Sequence, residues 1–344
     1  MPPPEAGDMA VILTYMTADD TAGNNDCCRA HDCCCRRLIR ERFGKMGAQP
    51  YHDRDGFIWY NGTLVPWRDA KLHVLSHGLH YASAVFEGER AYNGAIFKLT
   101  EHSQRLAFSA QQLGFKLPFP VDEIDRACTE VLRANGITDG YVRPIAWRGS
   151  EMMGVSAQSS KIQVAIAAWE WGSYFSEEAR KKGIRMRISE WRRPAPECAP
   201  VHAKASGLYM ICTLSKHKAE AEGYHDALML DWRGQVAEAT GANIFLVMPD
   251  GRLHTPTPDC FLDGITRRTV IGLARDNGID VVERAIRPEE LAQAREVFLT
   301  GTAAEVTPVG EIGDYRFTPG EVTSVLTDAY RAATGQLQSQ TVAA

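Results

Sequence analysis

The segment VHAKASGLYMICTLSKHKAEAEGYHDALMLDWRGQVAEATGANIF, residues 201–245, constrains the chain most, because it sets one lysine and one carboxylate where solvent-facing charges do not belong. It reads as loop, helix, strand, turn, strand. Lys204 follows Pro194, Pro196 and Pro200 and precedes a run in which Leu208, Ile211, Cys212 and Ala219 recur at helical spacing. Lys216, Lys218, Glu220 and Glu222 fall on the side facing water, and Gly223 supplies a stop. A lysine at the loop-to-helix junction, off the charged face, can point inward. An enclosed amine loses its proton readily, as imine chemistry requires. Glu238 stands in VAEATGANIF among small and apolar residues, just after DALMLD and a WRGQ turn, and such a carboxylate needs a cationic partner. Taken singly, each residue also fits the plainer reading of an ordinary surface charge.

The two motifs together narrow the reading. K-A-S-G-x-Y over Lys204 to Tyr209, followed by E-A-T-G-A-N-I-F over Glu238 to Phe245, resembles the lysine and glutamate signatures of the fold-type-IV pyridoxal-phosphate enzymes, specifically the branched-chain amino-acid aminotransferases. The likeness runs from about Asp55 to Gly335 and departs at Leu208, where many members carry Asn. It implies an α+β fold of two domains, a smaller N-terminal α/β domain and a larger C-terminal domain with a barrel-like β core. It also implies pyridoxal 5'-phosphate as cofactor, bound as an aldimine on Lys204, with Glu238 against the pyridinium nitrogen and Tyr209 on the phenolic oxygen. For the phosphate it points to Arg105 in EHSQRL, to Thr302 in GTAAEVTP, and to Leu262, Gly264, Ile265 and Thr266 in FLDGITRR. That last stretch also reads as a helix start, whose free N–H groups and dipole favour an anion. A guanidinium suits a phosphate because its fork of donors binds two oxygens.

For the substrate, the resemblance implies Tyr81, Phe86, Gly88 and Arg90 in LHYASAVFEGER, Tyr141 and Arg143 in YVRP, the loop Met153-Gly154-Val155, Tyr174, and backbone N–H groups near Ala303 and Ala304. Aromatic residues such as Tyr81, Phe86 and Tyr174 would otherwise read as core. Arg143 is different, since a charge inside an apolar strand must meet a partner. The implied reaction moves the amino group of leucine, isoleucine or valine to 2-oxoglutarate. Rivals sharing Lys204 and Glu238 are a D-amino-acid transaminase, an R-selective amine transaminase and aminodeoxychorismate lyase. Tyr141-x-Arg143, Phe86 and the Met-Gly-Val loop match the branched-chain pattern as a set. Family members are at least dimers with pockets completed across the interface, so a homodimer or larger homo-oligomer is expected.

A chain of 344 residues can hold two cores, and its 44% hydrophobic and 24% charged content is that of a soluble protein. A formal charge of −5 without a basic stripe leaves no footprint for nucleic acid. No apolar run reaches the roughly 18 residues of a membrane span. Glu5 and Asp8 flank the short apolar piece Met9 to Met16, where a secretory signal needs positive charge, so the cytoplasm is the expected compartment. Cys27, Cys28, Cys33, Cys34 and Cys35 cluster around His31, but adjacent cysteines do not match the spacing that wraps zinc. No metal is expected. A metal-binding or redox protein acting through this cluster is the rival from another class. Residues 1–45 otherwise read as a disordered extension that the enzyme can lose, because strand patterning begins only after Met46.

Asn-Gly pairs in FIWYNGTLVPW and VFEGERAYNGAIFKL mark two hairpins. Thr100 reads as the cap of a helix burying Leu106, Ala110 and Leu113, and Pro120 opens a second with Ile124, Cys128, Val131 and Leu132 on one face. Strands YVRPIAW and KIQVAIAAW complete a small domain over 46–169, and residues 170–180 read as a linker. The large domain, 181–344, carries GIRMRISEW as a strand, the Lys204 region, a helix over Ile265 to Asp276, strands around EVFLTGTAAEVTPVG, and a closing helix over Val322 to Ala333.

Overall fold

Two Asn-Gly turns start the fold. Asn61 and Gly62 both take positive φ, 49° and 100°, the mirror-image turn that matches strand twist, and join β1 (Phe57–Tyr60) to β2 (Thr63–Pro66). After α1 (His77–Tyr81) and β3 (Ala84–Phe86), Asn93 and Gly94 at 51° and 81° repeat the device between β4 (Glu89–Tyr92) and β5 (Ala95–Ile96). The structure, a computed structural model, describes residues 49–172 and 177–336. The extension read over 1–45, its cysteine cluster with His31, and Tyr174 lie outside the described residues.

With β6 (Gly140–Arg148) and β7 (Ile162–Glu170), the hairpins form a seven-stranded sheet in the order β2-β1-β7-β6-β4-β5, with β3 beside β6. Helices α2 (Leu99–Gln112) and α3 (Val121–Ala134) pack against it and each other. On α3, Ile124, Cys128, Val131 and Leu132 fall on one stripe and join Leu106, Ala110, Val142 and Ile166 in a common core. The cap read at Thr100 is corrected. Lys98 holds the N-cap in a left-handed conformation, φ 56°, and Thr100 lies within the first turn, donating its hydroxyl to Asp125 of α3 at 2.6 Å. The hydroxyl serves a tertiary acceptor instead of capping the helix's own N–H groups.

The first sheet ends at Glu170 and the second begins at Ile184. Between them lies the 170–180 segment, which includes the start of the short helix α4 (Glu177–Lys182). In the second sheet, β8 (Ile184–Arg193), β9 (Asp226–Asp231), β10 (Val236–Ala239), β11 (Asn243–Val247), β14 (Glu296–Gly301) and β15 (Glu305–Ile312) close into a ring, because β10 bonds both β9 and β11. This is the barrel-like core expected from the sequence. Strands β12 (Leu253–Pro256), β13 (Val281–Arg284) and β16 (Tyr315–Arg316) extend it to nine. Strand β11 is buried on both faces, so after Asn243 its residues Ile244 to Val247 are apolar throughout. Ile244 and Leu246 fill the ring with Met186, Leu228 and Leu299, whereas Phe245 and Val247 face outward under α6 (Ile265–Asp276) and α7 (Glu321–Ala333). Helix α5 (Met210–Ala221) packs on β8 and β9.

Helix α7 is tied to the ring by one carboxylate. Glu296 at the start of β14 is buried and accepts the N–H of Thr323 at 2.8 Å, its hydroxyl at 2.7 Å and the N–H of Val322 at 3.3 Å. An anion at a helix N-terminus satisfies donors that no turn of the helix can reach. Glu296→Ala should cost about 1–3 kcal/mol by leaving those donors buried and unpaired. A thermal melt should read this as a fall of a few degrees, with Glu296→Gln losing less because its amide oxygen still accepts. An unchanged melting temperature for Glu296→Ala would refute the tie.

Candidate active site

Lys204 lies on the loop before a single 3₁₀ turn, Ser206–Tyr209, that leads into α5. Its backbone is fastened from the other sheet. Its N–H donates to the Ser109 hydroxyl on α2 at 2.9 Å, its carbonyl accepts the N–H of Phe86 at 3.1 Å, and the next residue, Ala205, bridges Val85. The amine donates to the Tyr209 hydroxyl at 2.8 Å. An adjoining cavity leaves Lys204 some accessible surface, yet protein packs around it closely. That burial, and then the Arg105 guanidinium, bring its pKa down to about 8. Burial raises the Tyr209 hydroxyl above its ordinary range, so it stays protonated.

Glu238 reaches the same cavity through a strand irregularity. The register of β10 shifts between Val236 and Glu238, so Val236 and Ala239 both enter the ring core while Glu238 points the other way. Strict alternation would have put Val236 and Glu238 on one face, and a bulge re-aims the side chain. The cation that Glu238 requires is Arg193 at the end of β8, whose Nε lies 3.3 Å from Oε1 without a well-aligned hydrogen bond. Arg193 also donates through Nη1 to the Leu208 carbonyl at 3.3 Å. Burial pushes the Glu238 carboxyl up to about 7, against the opposing pull of Arg193 and Lys204.

The residues that the resemblance assigns to the phosphate come together in one place. Arg105, Leu262, Gly264, Ile265, Thr266 and Thr302 line one cavity with Lys204, Tyr209 and Glu238. Gly264 is the N-cap of α6 and offers no side chain to the first N–H groups of that helix. Asn243, four residues after Ala239, ties the two ends together. Its amide donates to the Leu262 carbonyl at 3.0 Å and to Glu238 at 3.4 Å, and its oxygen accepts the Gly264 N–H at 3.2 Å. A Cβ on Gly264 would sit 2.2 Å from that oxygen, so the approach requires glycine. The buried Thr300 hydroxyl in this cavity has no partner. An amine, a buried carboxylate opposite it and an uncapped helix start beside an arginine are what pyridoxal phosphate needs, and they fit it.

A second cavity of about 210 Å³ shares Lys204 and Tyr209 and is walled by Phe86, Tyr141, Arg143, Trp169, Trp171, Leu299, Ala303 and Ala304. Alternation on β6 puts Tyr141 and Arg143 on the cavity face while Val142 enters the core. Arg143 lies over the Phe86 ring at 4.8 Å and donates to the Tyr141 hydroxyl at 3.2 Å, while its Nε is buried without a partner. Gly88 lies behind this wall rather than on it, and a Cβ there would sit 1.8 Å from the Tyr141 hydroxyl.

Five expected substrate residues are placed elsewhere. Arg90 does not line the cavity; it is buried against Tyr92 and donates to the Gly172 carbonyl at 3.1 Å, just past Trp171. Tyr81, Met153, Gly154 and Val155 do not line the cavity with Lys204, and His77 links Tyr81 to the loop at Gly154. The His77 ring stacks on Tyr81 at 4.5 Å and bonds the Gly154 carbonyl at 2.8 Å, and Tyr81, Met153 and Val155 are exposed. Sequence reasoning missed Arg193, Asn243, Trp169 and Trp171. The two tryptophans bracket a glutamate in AAWEWGS at the end of an apolar strand, a signal that could have been used.

This arrangement is that of an amino-group transferase. A model of the class IV amino-transferases matches residues 84–312, and the chain belongs to that family. The branched-chain-amino-acid aminotransferase of Pseudomonas aeruginosa is 44% identical over 285 residues, covering 81% of this chain and 92% of the relative. The crystal structure of the Escherichia coli branched-chain amino acid aminotransferase superposes with a TM-score of 0.79 at 39% identity, covering 84% of this chain and 98% of that one. A branched-chain amino acid aminotransferase from T.th., complexed with N-(5'-phosphopyridoxyl)-L-glutamate, does so at 0.78 and 42% identity, covering 83% and 96%.

Glu238 should leave a pH signature in protein stripped of cofactor. Its folded pKa of about 7 lies above its ordinary 4.5, so its contribution to stability is present below about 4.5 and lost as pH rises through about 7. Melting temperatures of wild type and Glu238→Gln should therefore diverge between these limits, the wild type losing ground as pH rises. Parallel profiles would contradict the assignment.

Proposed function

We propose that the protein is a branched-chain amino-acid aminotransferase, taking the amino group of leucine, isoleucine or valine and delivering it to 2-oxoglutarate. The cofactor is pyridoxal phosphate, which when bound supplies the aldehyde that takes up the amino group and the ring that accepts the α-carbon electrons. Lys204 anchors it and, once displaced by substrate, uses its amine to take the proton from the substrate α-carbon; a pKa near 8 suits a base at neutral pH. Glu238, backed by Arg193, holds a negative charge against the ring nitrogen. Tyr209 orients the Lys204 amine. Arg105, Thr266, Thr302 and the first N–H groups of α6 hold the phosphate.

The observation that carries the substrate reading is one cavity containing both apolar walls and an arginine. Phe86, Trp169, Trp171 and Leu299 suit a branched side chain, whereas Arg143, at the edge with an unpartnered Nε, can turn to the second carboxylate of glutamate. The T.th. neighbour holding a phosphopyridoxyl-glutamate adduct supports the acidic partner. Tyr141 and backbone N–H groups near Ala303 and Ala304 take the α-carboxylate common to both. The chain works as a homodimer, in which Tyr81 and the Met153-Gly154-Val155 loop complete the partner's cavity. Their exposure beside Leu75, Leu79 and Met152 supports a surface made to be covered. Residues 46–169 and 181–344 act as two domains either side of the cofactor. Among the described residues no helix is long and apolar enough to cross a membrane, and we place the enzyme in the cytoplasm.

The purified protein should absorb in the near-visible with pyridoxal phosphate and transaminate leucine with 2-oxoglutarate. Lys204→Ala should lose turnover by orders of magnitude; retained activity would exclude it as the base. Arg143→Met should impair the glutamate half-reaction about ten- to a hundredfold while sparing that of leucine, the loss expected for one charged hydrogen bond of about 1.5–3 kcal/mol. Stopped-flow measurement of each half-reaction decides this, and equal losses would move Arg143 to the α-carboxylate.

A further inference from the structure

We propose that Glu87 is a positioning residue for the cofactor phosphate: it sets the Arg105 guanidinium and so governs phosphate affinity without touching the ligand. The inference rests on the aminotransferase reading and extends it to a side chain that reading leaves without a role. Glu87 is fully buried. Its carboxylate accepts Arg105 Nε at 2.7 Å and Nη2 at 2.8 Å, His102 Nδ1 at 2.7 Å and the Gly88 N–H at 3.2 Å. Its own backbone is pinned by the Pro144 carbonyl at 2.8 Å.

His102 and Arg105 stand at i and i+3 on α2, so one helix face brings both to the carboxylate. The side-on pairing consumes two of the three guanidinium nitrogens, fixes its plane and leaves Nη1 as the nitrogen not engaged. Among the described residues no other side chain bonds Arg105, and Arg105 lines the cofactor cavity. Burial lowers the pKa of His102, so it remains neutral and donates from Nδ1 without adding charge. Glu87 and Arg105 therefore cancel in charge, and what they offer the phosphate is a donor of fixed direction.

Charge and direction make opposite forecasts for Glu87→Gln. Removing the anion leaves the arginine's positive charge uncompensated, which by Coulomb attraction alone would tighten phosphate binding. Losing the clamp frees the guanidinium and should weaken it. The test equilibrates the full-length protein with pyridoxal phosphate or with pyridoxal, which lacks the phosphate, and follows near-visible absorbance. We expect Glu87→Gln to bind pyridoxal phosphate about ten- to a hundredfold more weakly and pyridoxal as the wild type does. Glu87→Asp should fall between, and Glu87→Gln with Arg105→Met should bind no more weakly than Arg105→Met alone. Unchanged or tighter binding of pyridoxal phosphate, equal losses on both compounds, or additive losses in the double variant would each overturn the proposal. Should Glu87→Gln not fold, Glu87→Asp carries the same comparison, since its side chain is one methylene shorter and sets the carboxylate back from the guanidinium. A wild type that binds neither compound would overturn the aminotransferase reading itself.

Discussion

An amine and a carboxylate must be kept out of water within one cavity without collapsing onto each other, and the surrounding architecture answers that need. Taking an ion from water into protein costs several kcal/mol even after relaxation. Each group is therefore given its own neighbours. Lys204 has the Tyr209 hydroxyl, and Glu238 has Arg193 and Asn243. No ion pair joins Lys204 to Glu238 among the described residues, so both remain available to a ligand set between them. The residual strain appears as displaced protonation equilibria, with both the amine and the acid harder to ionise than in water.

The two sheets divide this work. The closed ring supplies the acid and its arginine, from strands whose other faces fill an apolar interior, and α6 on its outer side supplies the helix start. The open sheet and the helix packed on it supply Phe86, Tyr141 and Arg143 of the second cavity and Arg105 of the first, from β3, β6 and α2. Asn243 ties Glu238 to the start of α6. On the other side, the tripeptide Phe86-Glu87-Gly88 joins the wall of the second cavity to Arg105, with a wall residue, a buried anion and a glycine against Tyr141 in succession. Strands and helices carry Glu238, Arg193, Arg105 and Arg143, and backbone bonds to Ser109 and Phe86 fasten the loop that carries Lys204, which is how a site keeps geometry within the tolerance chemistry demands.

Features decided by neighbouring residues were legible in the sequence. Asn-Gly turns announce hairpins because the positive φ they need is a local property, and α3 shows its buried stripe because helical spacing is local too. Lys204 and Glu238 stood out because their settings lacked other charges, and resemblance then gave them roles. The need of Glu238 for a cation followed from burial, but not that Arg193 would meet it, since WRRP is a charged strand end with two arginines and nothing to choose between them. Thr100 misled for the converse reason: a good capping residue was claimed by Asp125, which is distant in sequence. Tyr81 and the Met-Gly-Val loop do not line the Lys204 cavity within the chain, and no local pattern in the sequence reports that separation.

The fastening of the Lys204 backbone bears on how the chain folds. Its N–H is held from Ser109 and its carbonyl from Phe86, contacts between residues about a hundred positions apart along the chain. Contacts of such long range form only after the loop between them has closed, which makes them late and slow events. Nascent ring and nascent sheet can each collapse around their own apolar residues, but the lysine is not set until one docks on the other. Competence to take up cofactor is thus acquired at the last stage of folding, and the colour of the enzyme becomes an internal clock for its completion.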